Sequence, residues 1–508
     1  MGQGWGRAAI AATVGATLLS AAAHAQDVTL TARDGGLALA GDLQGYDGEF
    51  FRILTSYGLL TVDAAGVICT GPACPDLTAP QTDIRITGAA DPALAILPGL
   101  WAAFADARGL THAVTVTDTG FTATLSDPVT AQPLARITFA PADPDTARVA
   151  VAEARADLAV ATAPEPSLGS RVLALDPLVA LVARDNPLAT IRTPDLAAAL
   201  TGGIDNWAQM GGPDMPVVVH ALPPGHALRT AAEERLGAPL AATVLHATPA
   251  ALATAVARDP WALALAGQSA QGPARALPLT DSCDFPLPAT ALAVKAEDYP
   301  LVSPLHLLTP RRRLPLIARE FLEFLATDAA QAAVARAGYV DRRPGRAPLT
   351  DDGQRLLNAI RNAGAEVPLA ELQRLALAMT GAERLSLTFR FEDGSSRLDA
   401  HSRDNLADLA RLIGARAFDG WSPVLAGFSD GSGNADANLD LSRSRAQAVR
   451  IALAAAAPDL ADPDLPTVEA FGESLPIACD TTAAGRQANR RVELWLRPDP
   501  DWLPPAVP

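Results

Sequence analysis

The chain has 508 residues, too many for a single hydrophobic core, and this length predicts roughly two to four domains. Hydrophobic residues make up 49% of the chain and charged residues 19%, a composition typical of folded globular protein rather than of disordered protein. The net charge of −16 argues against partners such as nucleic acid or anionic lipid, because phosphate binding depends on clustered cations.

Residues 1–25 are typical of a secretory signal peptide. A single charge at Arg7 precedes an apolar run over residues 8–23, and an A-x-A cleavage site ends at Ala25. We expect cleavage before Gln26 and export to the periplasm. The mature chain does not start with a cysteine and has no apolar stretch long enough to span a bilayer, so we expect neither a lipid anchor nor a transmembrane segment.

Residues 27–80 predict a small β-rich unit. Short runs such as VTLTA and EFFRILTSYG alternate with breaks at Gly and Asp, which indicates antiparallel strands. Cys69 and Cys74 flank a Thr-Gly-Pro-Ala turn and predict a local disulfide in an oxidising compartment. A metal site is the competing interpretation, but neither a second cysteine pair nor a histidine cluster accompanies these two residues.

The two remaining cysteines, Cys283 and Cys479, lie far apart in the sequence. We predict that they form a second disulfide, which would lock the middle of the chain to its C-terminal part. No residue pattern typical of catalysis, of a metal site or of a cofactor site stands out. We therefore expect a non-enzymatic protein without a cofactor.

Residues 81–345 alternate strand-like runs such as DIRITGA with helix-like runs such as LAILPGLWAAFADARG, which predicts an α/β domain. Within it, ALDPLVALVARDNPLATIRTPDLAAALTGGIDNWAQMGG over residues 174–212 and EDYPL over 297–301 resemble the phosphate-type periplasmic solute-binding proteins of ABC transporters. The resemblance implies a two-lobed periplasmic binding protein fold of type II. The positions that match the family in the first phrase are Asp176, Leu178, Val179, Asn186, Pro187, Leu196, Gly203, Ile204, Asn206, Trp207, Gly211 and Gly212.

The resemblance assigns the anion-contacting positions to Gly88, Ala89, Thr162, Gly225 and His226. Proteins of this type hold phosphate with backbone N–H groups at helix starts and with small hydroxyl groups. The family pattern has Gly-Ser, Ser-x-Arg and Ser-Gly-Thr at these places, so two hydroxyls and an arginine are missing here. Since such contacts carry anion affinity, the pattern indicates either a changed ligand or a surface for a protein partner.

Residues 346–382 form a Pro- and Arg-flanked connector that contains two stretches of amphipathic helical spacing. Residues 383–498 follow with strand-like and helix-like segments in the order βαβαβ and a closing strand. The two regions predict a helical connector and a final α+β domain.

Residues 430–446 carry the pattern D-x-x-G-x-x-x-x-N-x-x-L-S-x-x-R-A, and the motifs GES-x-P and NRRVE follow it. These motifs resemble the OmpA-like peptidoglycan-binding family. The resemblance implies that Asp430 and Arg445 bind the zwitterionic side-chain end of meso-diaminopimelate in the peptidoglycan stem peptide. The carboxylate of Asp430 would take the ammonium group, and the planar guanidinium of Arg445 would take the carboxylate.

Four further residues belong to this prediction. By the resemblance, Asn438 fixes the loop, and Asn489 and Arg491 line the same groove. Ser442 is placed to act as the N-cap of a helix over about residues 442–456.

Other interpretations of this stretch are a structural ion pair, a hydrolase and a calcium loop. An Asp430–Arg445 ion pair would be the ordinary role of an Asp/Arg couple. G-x-S-x-G at residues 427–431 fits a hydrolase nucleophile elbow, but no histidine follows it to act as the base. A calcium loop of the EF-hand type requires Gly and Glu where the chain has Ala435 and Leu441.

These features predict a secreted periplasmic protein, associated with the cell wall or outer membrane, that binds peptidoglycan non-covalently and carries a solute-binding-like domain. Two alternatives remain open. One is a phosphate-like anion-binding protein of an ABC transporter, and the other is a structural envelope adaptor that binds a protein partner.

Overall fold

The computed structural model describes residues 27–33, 35–46, 49–74, 82–117, 119–350, 353–362, 367–392, 395 and 397–500. The predicted signal peptide lies outside these residues. No helix in the described ranges is long and apolar enough to cross a membrane. The described residues form two compact units, the first comprising those up to Cys74 together with Pro315–Ile317 and the second comprising the rest.

The N-terminal unit is a five-stranded antiparallel sheet closed by the disulfide Cys69–Cys74. Its strands are β1 (Val28–Ala32), β2 (Ala38–Tyr46), β3 (Phe50–Thr55), β4 (Gly58–Asp63) and β5 (Val67–Thr70). They follow one another across the sheet in the order β4-β3-β2-β1-β5. Alternate residues such as Leu30, Phe51 and Ile53 point to one face and form the small core.

Residues 82–340 form a two-lobed α/β structure around one eleven-stranded sheet. Its strands and the three of a small companion sheet are β6 (Thr82–Gly88), β7 (Thr111–Thr117), β8 (Gly120–Ser126), β9 (Pro133–Pro141), β10 (Leu158–Ala161), β11 (Gly169–Val182), β12 (Ile191–Arg192), β13 (Val218–Ala221), β14 (Val244–Leu245), β15 (Ala262–Gly267), β16 (Arg275–Leu277), β17 (Leu279–Thr280), β18 (Pro286–Leu287) and β19 (Val302–Thr309). The helices are α1 (Ala90–Ala107), α2 (Pro144–Ala152), α3 (Thr193–Leu200), α4 (Ala227–Leu236), α5 (Pro249–Val256), α6 (Ala291–Lys295), α7 (Leu316–Phe324) and α8 (Asp328–Arg336).

Strands β11 and β19 pair in the middle of the sheet and connect its two halves. On one side, β10, β6, β9, β8 and β7 follow and build the first lobe, with α1 and α2. On the other side, β15, β13 and β14 belong to the second lobe, which also contains α3 to α6. The chain therefore passes from the first lobe to the second in β11 and returns in β19.

The apolar run in β11 is long because this strand is buried on both faces. Leu178, Ala180 and Val182 pack in one hydrophobic cluster, whereas Val179 and Leu181 pack in another. In a strand, alternate side chains point to opposite faces, so a strand covered on both sides requires apolar residues at every position.

The C-terminal part of the second unit is a five-stranded sheet with helices on both faces. Its strands are β20 (Arg346–Pro348), β21 (Glu383–Arg390), β22 (Trp421–Gly427), β23 (Thr467–Ala470) and β24 (Arg491–Pro498). Its helices are α9 (Gly353–Asn362), α10 (Leu369–Met379), α11 (Ala400–Gly414), α12 (Ala435–Ala456) and α13 (Ala483–Asn489). The strand order is β20-β21-β24-β22-β23.

The two faces of this sheet carry different helices. Leu425 of β22 points toward a cluster that includes Leu409 of α11 and Val449 of α12. The neighbouring residue Val424 points to the opposite face, where a second cluster includes Leu375 of α10. The connector helices therefore cover the face of the sheet that α11 and α12 leave open.

Helix α12 differs from the sequence prediction in where it begins. The prediction started the helix at Ser442, but the helix begins at Ala435, and its N-cap is Asn434, whose side chain accepts a hydrogen bond from Ala437 N at 2.8 Å. Ser442 instead lies inside the helix, where its hydroxyl accepts a hydrogen bond from Gly472 N at 3.1 Å. Asn and Ser are both strong N-cap residues, so the sequence alone does not choose between them.

The second lobe and the C-terminal sheet are joined within the second unit by a disulfide and by buried charges. Cys283 and Cys479 are bonded, with their Cα atoms 5.4 Å apart. Asp298, just after α6, accepts hydrogen bonds from Arg384 Nη2 at 2.7 Å and from Arg390 Nη2 at 3.2 Å. Both arginines are on β21, so a covalent bond and a buried ionic cluster hold the two parts together.

Candidate functional site

Asp430 lies in the loop between β22 and α12. Its Oδ1 accepts a hydrogen bond from Ser432 N at 3.0 Å, and its Oδ2 accepts one from Arg490 Nη1 at 3.0 Å. Burial opposes ionisation of this carboxyl, but the hydrogen bonds from Arg490 and Ser432 outweigh it, and the pKa of Asp430 is lowered. Asp430 is therefore a fixed carboxylate at neutral pH.

Arg445 lies on α12, close enough to both Asp430 and Arg490 for their charges to act on it. The pKa of Arg445 is lowered, first by burial and then by the positive charge of Arg490. The negative charge of Asp430 acts in the opposite direction and offsets part of this shift. The guanidinium nitrogen Nη1 of Arg445 is buried and makes no hydrogen bond to any described residue. The side chain lines a pocket of about 450 Å³ together with Phe391, Glu392, Ser395, Leu441, Ser444 and Arg490.

The structure thus brings the two predicted ligand residues together but inserts a third residue that the sequence analysis missed. The ion-pair partner of Asp430 is Arg490, the first arginine of the N-R-R-V-E motif, rather than Arg445. The sequence feature that could have revealed this role of Arg490 is the pair of adjacent arginines in the motif. Arg490 lies between α13 and β24 and reaches Asp430, whereas Arg491 begins β24 and points into the domain.

Asn489 and Arg491, which the sequence analysis assigned to the groove, lie inside the domain instead. Arg491 is fully buried, donates to Glu493 Oε1 at 2.7 Å and to Leu475 O at 2.9 Å, and stacks on Phe428. Asn489 is also fully buried, and its Oδ1 accepts hydrogen bonds from Ile477 N and Ala478 N. Their side chains make hydrogen bonds inside the domain, to the loop after β23 and to Glu493 of β24.

Asn438 fixes the loop from the first turns of α12. Its Nδ2 donates to Glu473 Oε2 at 2.5 Å, and its side chain is buried. Gly433 in the same loop has a φ of 105°, a backbone conformation that favours glycine over residues with a Cβ. These contacts tie the loop that carries Asp430 to the Gly472-Glu473 turn.

In the middle domain, all five residues assigned to anion contact line one cleft of about 370 Å³. These residues are Gly88, Ala89, Thr162, Gly225 and His226. Ala89 immediately precedes α1 and His226 immediately precedes α4, so the cleft receives helix N-termini from both lobes. The sequence pattern therefore located residues that are far apart in the chain and close in space.

The charges around this cleft are acidic. Asp91, Asp143 and Asp176 line it, and its described lining residues include no lysine or arginine. His226 Nε2 lies 2.9 Å from Asp91 Oδ2 and so links the two lobes across the cleft. Burial raises the pKa of Asp176 to about 6 against the effect of hydrogen bonds from Ser269.

All four cysteines are in disulfides, so none is available as a thiolate ligand. Within the described ranges, no group of three or more His, Cys, Asp or Glu side chains could hold a metal ion. The metal interpretation of Cys69 and Cys74 therefore finds no geometric support in this part of the chain.

The two sites lie in regions of the chain that match family models. Residues 77–329 match the model of the PBP superfamily domain, and residues 390–490 match the model of the OmpA family. No curated protein matches the sequence.

Solved structures similar to the middle domain have low sequence identity. An ABC-type phosphate transport receptor from Vibrio cholerae is 18% identical, and the match covers 51% of this chain and 99% of that protein with a TM-score of 0.40. PstS from Borrelia burgdorferi is 14% identical, with the same coverages and a TM-score of 0.37. The CcmR regulatory domain from Synechocystis PCC6803 is 14% identical, with coverages of 48% and 96% and a TM-score of 0.32. By the family models, the chain carries a domain of the PBP superfamily followed by a domain of the OmpA family.

Proposed function

We propose that this protein is a non-enzymatic periplasmic envelope protein whose C-terminal domain binds peptidoglycan non-covalently and holds a solute-binding domain at the cell wall. The observation that carries the proposal is the group of Asp430, Arg445 and Arg490, of which the two arginines line a pocket. Within this group, one carboxylate is fixed and one buried guanidinium nitrogen has no acceptor among the described residues.

The chemistry of the group fits the side-chain end of meso-diaminopimelate, which carries an ammonium beside a carboxylate. Asp430 would accept from the ammonium, and Arg445 would donate to the carboxylate through Nη1. Arg490 adds a second positive charge next to the first. Planar guanidinium groups suit this role because they can bind a carboxylate bidentately.

The unsatisfied nitrogen of Arg445 favours a ligand role over a structural one. A buried donor without an acceptor costs about 1–3 kcal/mol. In a purely structural ion pair, Arg445 would be expected to donate to Asp430, but Asp430 is engaged by Arg490 instead. A ligand carboxylate in the pocket would remove this cost and so gain affinity.

The test is co-sedimentation of the mature protein with purified sacculi that contain diaminopimelate. We expect the wild type to pellet with sacculi and Arg445→Ala and Asp430→Asn to remain in the supernatant. The matched control is Arg443→Ala, because Arg443 lies on the same helix, is exposed and pairs only with the exposed Asp440 among the described residues. Pelleting of Arg445→Ala to the same extent as the wild type would refute the proposal.

A further inference from the structure

The cleft of the middle domain already holds acidic or imidazole groups at the positions where a bound anion would be held. Asp91 lies in the first turn of α1. Asp143 caps α2 and accepts from Thr146 N at 2.9 Å, and His226 caps α4 and accepts from Leu228 N at 3.3 Å. Helix N-termini attract negative charge. Here the protein supplies that charge itself, so an incoming anion would meet carboxylates.

The floor of the cleft carries a buried polar pair on the two central strands. Asp176 of β11 and Ser303 of β19 are direct cross-strand partners, so their side chains project from the same face of the sheet. Asp176 is 5% exposed, and its carboxylate accepts hydrogen bonds from Ser269 N at 3.1 Å and Ser269 Oγ at 2.7 Å.

Ser303 offers a ligand a buried hydroxyl group. It is 2% exposed, lines the cleft, and its hydroxyl has no hydrogen-bond partner among the described residues. Buried hydroxyl groups are nearly always hydrogen-bonded in folded proteins. A donor bound between Ser303 and Asp176 would satisfy the hydroxyl and approach the carboxylate.

The other residues that line the cleft favour an organic ligand with a hydrogen-bond donor over a metal ion. Within the described ranges, no set of three or more acidic, histidine or cysteine side chains is grouped closely enough to hold a metal. Much of the cleft wall is apolar, including Pro92, Pro141, Leu228 and Leu305. The volume of about 370 Å³ is at the lower end of that typical for small-molecule sites.

An arginine lies close to this cleft but outside it. Arg235 and Glu234 line a separate neighbouring pocket that shares only Thr162 and Ser303 with the cleft. Both residues are exposed near the end of α4, so their opposite charges face solvent side by side. Arg235 therefore does not replace the arginine that the family pattern places in the anion site.

We propose that the cleft binds a small organic cation, an ammonium group on a short apolar body, held by Asp176 and Ser303 at the floor and by Asp91 at the wall. This inference rests on the proposed solute-binding role of the domain and names its class of ligand. The ammonium would donate to Ser303 Oγ and Asp176, and the alkyl body would lie against the apolar wall.

The experiment is isothermal titration calorimetry of the full mature chain with butylammonium, putrescine, ethanolamine and inorganic phosphate. We expect at least one amine to bind and phosphate to give no heat. Asp176→Asn should weaken binding by about tenfold or more, because it removes a charge-assisted contact at nearly constant shape. Ser303→Ala should weaken it less. The control Asp145→Asn, which removes an exposed carboxylate of α2 outside the cleft, should leave affinity unchanged.

Phosphate binding without amine binding would overturn the inference, and so would the absence of binding by all three amines. Equal affinity of the wild type and Asp176→Asn for an amine would also overturn it. Sedimentation of Asp176→Asn with sacculi is measured in parallel, because it reports on the wall-binding domain alone. If only the calorimetry fails, the ligand class is wrong and peptidoglycan binding stands.

Discussion

Arg445 is held in an environment that is unfavourable for the free protein. Its Nη1 is buried and has no acceptor in the part of the chain that the structure describes, and the nearby Arg490 repels it. Groups that ligands must reach are often kept at such a cost to stability. Substitution of Arg445 can therefore separate its effect on peptidoglycan binding from its effect on the stability of the fold.

We predict that Arg445→Met raises the thermal midpoint of unfolding or leaves it unchanged, while it abolishes sacculus binding. Methionine fills a similar volume and leaves no buried donor unsatisfied, so the change in unfolding free energy should be between zero and about 1 kcal/mol in favour of the variant. Differential scanning fluorimetry measures it. A marked fall in the midpoint would indicate that Arg445 is a structural residue.

Asp176 gives a prediction about pH. Burial raises its pKa from 3.8 to about 6, so the folded protein binds a proton more tightly than the unfolded chain does. The contribution of Asp176 to the free energy of unfolding is therefore greatest below pH 4, and it falls as the pH rises from about 4 to 6. The full effect is on the order of 3 kcal/mol.

Asp176→Asn should accordingly raise the thermal midpoint at pH 7.5 and have little effect near pH 4. An asparagine at this position can still accept from Ser269 N and carries no charge. The measurement is the midpoint of both proteins across this pH range. A difference between the two proteins that does not change with pH would contradict the assignment.

At the scale of elements, the connector helices are part of the C-terminal core. The strand β24 shows why, since Leu494 packs with α11 and α12 while the adjacent Trp495 packs with α10. Without α9 and α10, the large Trp495 and Phe428 side chains would face water. The sequence pattern showed two amphipathic helices, but not which face of which sheet they cover.

Leu375 and Leu377 of α10 test this packing as a matched pair. Leu375 is 1% exposed and Leu377 is 77% exposed. We expect Leu375→Ala to lower the unfolding free energy of the domain by about 2–5 kcal/mol and Leu377→Ala to change it by less than about 0.5 kcal/mol. Urea denaturation measures both. Similar effects of the two substitutions would show that α10 is not part of the core.

The misplaced residues of the sequence analysis are explained by information that only the tertiary structure supplies. The motif D-x-x-G-x-x-x-x-N-x-x-L-S-x-x-R-A located Asp430 and Arg445 because their spacing is local. Whether Arg490 or Arg491 faces the groove depends on where α13 ends and β24 begins, which the motif does not specify. The start of α12 depends on whether Asn434 or Ser442 caps the helix, and the motif does not decide between these two residues.

At the scale of the whole second unit, the second lobe and the C-terminal sheet are fixed to each other. Asp298 is surrounded by Arg384 and Arg390, and the Cys283–Cys479 bond lies on the same junction. Both the fold type of the middle domain and that of the last domain were predictable from motifs and hydrophobic periodicity. The charged junction was not, because Asp298 and the two arginines are far apart in the sequence and meet only after folding.

We predict that Asp298→Ala destabilises this junction strongly. Removing Asp298 leaves Arg384 and Arg390 with longer carboxylate contacts, to Glu493 and Glu297, and loss of one partner from a buried ionic group costs about 3–5 kcal/mol. Glu153→Ala is the control, because Glu153 pairs with Arg155 at an exposed position and such pairs contribute at most about 1 kcal/mol. The thermal midpoints of the two variants should differ clearly. Equal midpoints would show that the ionic cluster does not hold the junction.

The most direct test of the account is whether the C-terminal pocket distinguishes diaminopimelate from lysine. Stem peptides with lysine lack the second carboxylate of diaminopimelate but keep the ammonium, so they offer no acceptor to Nη1 of Arg445. Titration calorimetry with both peptides should show binding of the diaminopimelate peptide only, and Arg445→Ala should bind neither. Equal binding of the two peptides by the wild type would contradict the assignment of Arg445 to the ligand carboxylate.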